Sequence, residues 1–533
     1  MTATYDYIIV GAGTAGCVLA NRLSEDANTK VLLLEAGGED SSFLIRMPVG
    51  FAKLLNDRRY NWCFETEPED NTDGRVIPIP RGKVLGGSSS INGTLYVRGQ
   101  PLDYDTWAQL GNRGWSYEDV LPYFKAGETY SDGGDETRGT DGPLHVTQLP
   151  LRDTLPDTFI EAGVADGFPL NPDYNNGDQE GFGYYQTTIR DGRRWSAVDA
   201  YLKPARSRPN LHVETGAHAT GILFEGRRAI GVAYDVGGEA REARADGAVI
   251  AAAGAVQSPL LLEHSGIGRP DVLKDLGIEI RHALDGVGEN YRDHYATRMN
   301  WRVKQPISLN EKTRGLRFVG EVMKYFFSRR GILTLSAGVA HGFVRTRPEL
   351  ASPDIQYHFA HGSYASAAER HFDREPGMTV AVCQLRPESQ GSIHIRSADP
   401  SAPPLIRPNF LADEIDQTCL IDGMKIARRI VDNQVFNPYR AHEMNPGPDI
   451  QSDDQWLAFG RANGGTLYHA IGTCKMGSDP MAVVDDRLRV HGIEGLRVID
   501  ASIMPTLASG NTNAPTYMIA EKGADMIKED AKR

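Results

Sequence analysis

The chain has 533 residues, 40% of them apolar and 24% charged. At ~100–200 residues per domain, this allows two to four domains or one large enzyme with interleaved parts, and it excludes a disordered chain. Lys and Arg total 57 against 70 Asp and Glu, a formal charge of −13, which argues against general nucleic-acid binding because that needs a basic, phosphate-neutralising face.

Residues 5–10 read as a short buried strand. The run G-A-G-T-A-G over residues 11–16 follows at once, residues 17–23 read as a helix, and a second strand over 30–34 ends at Glu35, 19 residues beyond Gly16. In this pattern Gly11 permits a tight turn, Gly13 lets a pyrophosphate approach the backbone, and Gly16 lets helix and strand pack closely. The helix start, with Thr14 and Ala15, offers free N–H groups and a positive dipole end to phosphates. Glu35 can accept from ribose hydroxyls and would repel a 2′-phosphate. The motif predicts a dinucleotide site without separating NAD from FAD. Residues 247–253 and 496–499 read as two further strands of the same sheet.

Between those strands, short alternating runs over 355–359, 379–383 and 391–395 predict strands, the Pro-rich stretch 399–404 is a break, and 413–431 predicts a helix. Residues 316–330 predict an amphipathic helix carrying Arg317, Lys324, Arg329 and Arg330. It reads either as packed on the domain or as a surface helix touching a membrane, where a quinone would be met. His358 and His361 stand three apart, near His371, but strand positions three apart face opposite ways, so no metal site is expected. The five cysteines form no C-x-x-C pair, which favours a reducing, cytoplasmic setting. The first residues show no basic n-region, so no secretory signal is expected, and no apolar run reaches the ~18 residues that a membrane span needs.

Longer motifs carry a family resemblance. They are G-K-V-L-G-G-S-S-S-I-N-G-T-L-Y-V-R-G over 82–99, G-A-V-Q-S-P-L-L-L-E-H-S-G-I-G over 254–268, Y-H-A-I-G-T-C-K-M-G over 468–477, V-I-D-A-S over 498–502 and G-N-T-N-A-P-T over 510–516. In these, and over essentially its whole length, the chain resembles the glucose-methanol-choline (GMC) family of FAD-dependent alcohol oxidoreductases. The resemblance implies an α/β fold, α+β overall. A Rossmann-like FAD-binding domain would be assembled from residues 1–155, 196–295 and 461–533. A substrate domain with a mainly antiparallel sheet flanked by helices would take 156–195 and 296–460.

It also implies an FAD site formed by Gly11, Gly13, Thr14, Ala15, Gly16, Glu35, Ala36, Val84, Gly87, Ser88, Asn92, Gly93, Thr94, Leu95, Ala219, Ala253, Asp500, Ala501, Asn511, Thr512 and Asn513. The small residues of the Gly-Gly-Ser-Ser stretch suit phosphate and flavin heteroatoms. Ile91 stands where some members carry a flavin-linked histidine, so the FAD is expected to be non-covalent. The catalytic pair implied is His469 as general base and Asn511 as the amide that holds the substrate oxygen. Hydride would pass to flavin N5, and electrons onward to a quinone, an electron-transfer protein or O2. Strands near Tyr357 and Phe359 would line the pocket. The alternatives are an oxidase making peroxide, or a lyase or light-driven decarboxylase on the same fold. The substrate alcohol, choline included, stays open, as do the oligomeric state and a peripheral contact with the inner membrane face.

Overall fold

A computed structural model describes residues 3–366 and 371–532; the side chain of His371 lies outside what is described. Two large sheets organise the chain. Their strands, in chain order, are β1 (Thr4–Val10), β2 (Val31–Glu35), β3 (Gly181–Tyr184), β4 (Leu211–Thr215), β5 (Ala217–Glu225), β6 (Arg228–Val236), β7 (Glu239–Ala251), β8 (Tyr295–Val303), β9 (Ala340–Val344), β10 (Ile355–Ala360), β11 (Gly377–Gln384), β12 (Arg440–Asn445), β13 (Gly465–Thr466) and β14 (Leu496–Val498).

The first sheet has the order β4-β2-β1-β7-β6-β5, with β14 also on β7. Strands β1, β2, β4, β7 and β14 pair in parallel, while β5 and β6 extend the sheet antiparallel through the first half of β7. Every residue of β2 is buried, as a parallel sheet covered on both faces requires. Val10 pairs with Leu34 and with Ala251, and Ala251 pairs with Val498. Four strands therefore end level. The segments that follow them, at Gly11, Glu35, Ala252 and Asp500, open into one crevice at the carboxyl edge, where such sheets bind ligands.

Six helices matter for the site and its surroundings: α1 (Thr14–Leu23), α2 (Thr154–Ala165), α3 (Gly254–His264), α4 (Gly315–Ser328), α5 (Glu414–Asp432) and α6 (Asn513–Asp530). The first residues of α1, α3 and α6 all line the crevice. The Thr14 hydroxyl donates to Asn513 Oδ1 at 2.7 Å and ties two of these helix starts together.

The second sheet has the order β12-β8-β11-β10-β9-β3, with β13 on β8, and all its pairings are antiparallel. The short β13, beyond residue 460, joins this sheet by hydrogen-bonding to the start of β8. One face of this sheet packs on α2 and α5. Phe359 stacks on Phe159 with centroids 4.6 Å apart, and the Tyr357 hydroxyl donates to the Gly423 carbonyl at 2.8 Å. Both side chains belong to the core, so the strand expected to line the pocket does so through its other face. Strand alternation sends their neighbours His358 and Ala360 into the cavity instead.

Candidate active site

The two sheets enclose a cavity of about 580 Å³. At its first-sheet end the glycines separate into two kinds. Gly11 has φ +99°, and an added Cβ would stand 2.6 Å from the Ala252 carbonyl oxygen. At Gly16 it would stand 1.8 Å from the Gly11 carbonyl oxygen. Both are needed by the protein's own packing. At Gly13 a Cβ would meet nothing within 4 Å, so the open space there is room for a ligand.

Carboxylates shape the rest of this end. Glu35 accepts from the backbone N–H of Ala12 at 3.0 Å and of Gly37 at 2.8 Å. Burial pushes its carboxyl up to about 7, against the pull of those two N–H groups. Asp500 accepts from the Gly254 N–H at 2.8 Å, the Ser258 hydroxyl at 2.5 Å and the Ser502 N–H at 2.8 Å. Three helix starts, an open glycine and a ribose-facing carboxylate fit the pyrophosphate, ribose and dipolar rings of FAD.

The structure places Gly11, Gly13, Thr14, Ala15, Glu35, Ala36, Gly87, Ser88, Asn92, Gly93, Leu95, Ala219, Ala253, Asp500, Ala501, Asn511, Thr512 and Asn513 on the cavity wall. Three residues expected with them, Gly16, Val84 and Thr94, are not on that wall. Gly16 packs against the Gly11 turn. Val84 is buried with Ile45, Leu54 and Ile91. Thr94, at φ +58°, turns its hydroxyl to the Gly93 carbonyl and Ser336. Ile91 lines the cavity and carries no nucleophile.

His469 and Asn511 meet at the other end, with Asn511 Nδ2 3.0 Å from His469 Nε2. An unusual backbone conformation precedes each residue. Tyr468, just before the histidine, has φ +70°. Its N–H donates to the Thr466 hydroxyl at 2.6 Å, and its carbonyl accepts from Arg81 Nη1 at 2.6 Å. Gly510, just before the amide, has φ +137°, and a Cβ there would lie 2.5 Å from Val97.

Two further residues, not visible as site residues in the sequence, complete the arrangement. Asp293 accepts from the His469 N–H at 2.7 Å and from the hydroxyls of Tyr291 and Thr466. His294 Nδ1 lies 2.9 Å from His469 Nδ1, and His294 Nε2 lies 2.8 Å from the Leu385 carbonyl oxygen. A carbonyl can only accept, so His294 carries its proton on Nε2. Burial pushes His294 down to about 4, so it is neutral and its Nδ1 is bare. His469 must then donate from Nδ1, which leaves the lone pair on Nε2, facing Asn511. Burial first, then the electrostatic cost of a second cation beside the His294 and His358 imidazoles and the Arg81 guanidinium, holds His469 well below the ordinary histidine range. The site therefore presents a neutral base with a defined acceptor atom. The only sequence signal for Asp293 and His294 is a polar pair opening an apolar strand, which is too common to single them out.

Residues 5–296 and 387–520 match the N- and C-terminal models of the GMC oxidoreductase family. The chain belongs to the GMC oxidoreductases. It is 45% identical to "Oxygen-dependent choline dehydrogenase 1" of Chromohalobacter salexigens, over 98% of this chain and 95% of that one. It is 43% identical to "Alcohol dehydrogenase [acceptor]" of Pseudomonas putida, over 98% and 95%. Among solved structures, pyridoxine 4-oxidase from "Mesorbium loti" superposes with a TM-score of 0.89 at 31% identity, over 98% of each chain. This GMC oxidoreductase is an FAD-dependent enzyme that oxidises an alcohol.

Proposed function

We propose that His469 is the general base of this oxidation and Asn511 the amide that holds the substrate oxygen. The observation that carries the proposal is the hydrogen-bond chain from the Leu385 carbonyl through His294 to His469. It leaves the lone pair of His469 Nε2 beside a carboxamide on the cavity wall. A carbinol placed between the two gives its proton to Nε2, and the Asn511 N–H supports the growing negative charge on oxygen. Bound at the crevice by the Gly13 loop, the helix starts, Glu35 and Asp500, FAD supplies the hydride acceptor. Asn511 cannot act as a base, so loss of His469 removes proton abstraction outright.

Anaerobic mixing of the holoenzyme with a panel of aliphatic, benzylic, furanic and sugar alcohols and choline tests this reading. At least one alcohol should bleach the flavin. His469→Ala should bleach on the order of 10²–10⁴ times more slowly with its FAD retained, and Asn511→Ala should be slowed less. Full activity in His469→Ala contradicts the assigned base, and product formation without bleaching points to a lyase. Peroxide formed in air without added dye favours the oxidase form over the dehydrogenase, a form carried by the neighbour pyridoxine 4-oxidase.

The electron acceptor is read as lipid-borne, from α4. Leu316, Val319, Met323, Phe326 and Phe327 form one stripe that faces outward, with Leu316 89% and Phe327 82% exposed. Arg314, Arg317, Lys324 and Arg330 flank it, and the last three make no ion pair among the described residues. An apolar stripe with a basic margin suits an anionic lipid surface. No described helix is long and apolar enough to cross a membrane, so the contact proposed is peripheral, at the cytoplasmic face. Arg314 donates to the Phe372 carbonyl at 2.7 Å. Phe372 stacks on Tyr364 at 4.8 Å, and Tyr364 lines the cavity. This connects the helix to the site.

A further inference from the structure

The substrate end of the cavity is roofed by the second sheet, and one cross-strand row decides its charge. Arg298 on β8 pairs with Ala381 on β11, and Ala381 pairs with His358 on β10. All three side chains face the cavity. Arg298 is half-buried there and makes no hydrogen bond or ion pair among the described residues. A guanidinium withdrawn from bulk water without a partner is costly. Five donors in a planar fork match a carboxylate in two parallel bonds.

Among the described residues, no carboxylate of the protein fills that role. The cavity wall carries two, Glu35 and Asp500. Both stand at the first-sheet end, bound to the backbone amides of Ala12, Gly37, Gly254 and Ser502. The other two arginines on the wall make hydrogen bonds, although Arg81 keeps a buried Nη2 without a partner. Arg75 donates to the Thr72 and Arg461 carbonyls and to the Tyr295 hydroxyl, and Arg81 donates to the Tyr468 carbonyl. Among the described residues, this end of the wall therefore carries no anion to receive a quaternary ammonium group. Trp62, an aromatic that could cage such a group, already faces the Lys83 ammonium at 4.3 Å. The field of Arg298 reaches the neighbouring His358, whose imidazole is held down to about 3, chiefly by burial.

We propose that Arg298 receives a carboxylate carried by the alcohol substrate, so that the enzyme prefers hydroxyalkanoic acids to neutral alcohols and rejects quaternary ammonium alcohols. The proposal rests on the reading of His469 and Asn511 given above. It departs from what the names of the choline dehydrogenases similar to this chain would suggest. Arg298 is a specificity residue, reading the end of the substrate away from the carbinol.

The test is anaerobic stopped-flow reduction of the holoenzyme flavin by a straight-chain ω-hydroxyalkanoate, the alkanol of matched length, and choline. The expected order of kcat/KM is hydroxyalkanoate, then alkanol, then choline. Arg298→Ala should lower kcat/KM for the hydroxyalkanoate about 10–100-fold, the loss expected for a charged hydrogen bond, and mainly through KM. It should leave the alkanol within about 3-fold. Arg298→Lys should restore part of the loss. Choline turned over by the wild type as well as the hydroxyalkanoate overturns the proposal, and so does an equal loss for all three substrates in Arg298→Ala. In either case the flavin is still reduced and the alcohol-oxidising reading stands. If none of the alcohols bleaches the flavin, it is that underlying reading that fails.

Discussion

At the scale of the residue, the chemistry depends on where one proton sits. His294 takes a fixed tautomer from a carbonyl that can only accept, and it passes the constraint to His469. His294→Leu removes the acceptor for the His469 Nδ1 proton and frees the ring to put its proton on Nε2. Flavin reduction should then slow on the order of 10²-fold or more, toward the His469→Ala rate, with little change in KM. His294→Asn, whose amide can both accept and donate, should recover part of that rate. Equal rates in both variants and the wild type would remove His294 from the mechanism. His469 and Asn511 were legible in the sequence because each sits inside a long motif. His294 was not, because its contact with His469 spans 175 positions and is made only when β8 closes over the C-terminal segment.

At the scale of the element, the Gly-rich turn separates packing from binding. Gly16→Val drives a side chain into the Gly11 backbone, so it should abolish soluble folded protein. Gly13→Val puts a side chain into open space on the cavity wall. It should leave the circular dichroism spectrum and melting transition near the wild type while the purified protein loses its yellow cofactor. Retained FAD in Gly13→Val would move the pyrophosphate away from this turn. The turn was readable from sequence because strand, glycines, helix and acid recur at fixed spacing. The phase of β10 was not. Both faces of the second sheet are buried, one by α2 and α5 and one by the cavity. Alternation therefore gives two sets, and apolar character points to Tyr357 and Phe359, which lie on the core side, rather than to His358 and Ala360.

At the scale of the whole molecule, two sheets drawn from interleaved segments close over one cavity, and one helix breaks the usual rule of burial. The period of α4 is plain in the sequence, but an apolar stripe ordinarily predicts the buried side. Here Tyr325 on the opposite flank is the buried residue. If the stripe meets lipid, the holoenzyme should co-sediment with vesicles of mixed phosphatidylcholine and phosphatidylglycerol. It should do so far less with phosphatidylcholine alone, and less again at high salt. Phe326→Glu with Phe327→Glu should reduce vesicle binding about 10-fold or more and leave anaerobic flavin reduction by a soluble alcohol unchanged. A concentration-dependent dimer abolished by the same pair of substitutions would instead assign this face to a second copy of the chain.

The pH dependence of the anaerobic flavin-reduction rate tests the central claim most directly. A base held well below the ordinary histidine value of 6.5 stays unprotonated through neutrality. The rate should therefore be flat from about pH 6.5 upward and fall only in acid, where Nε2 takes a proton and can no longer accept one from substrate. In His469→Ala the acid limb should vanish along with most of the rate. An acid limb centred at or above 6.5, or an unchanged profile in His469→Ala, would contradict the claim that this buried, neutral imidazole removes the substrate's proton.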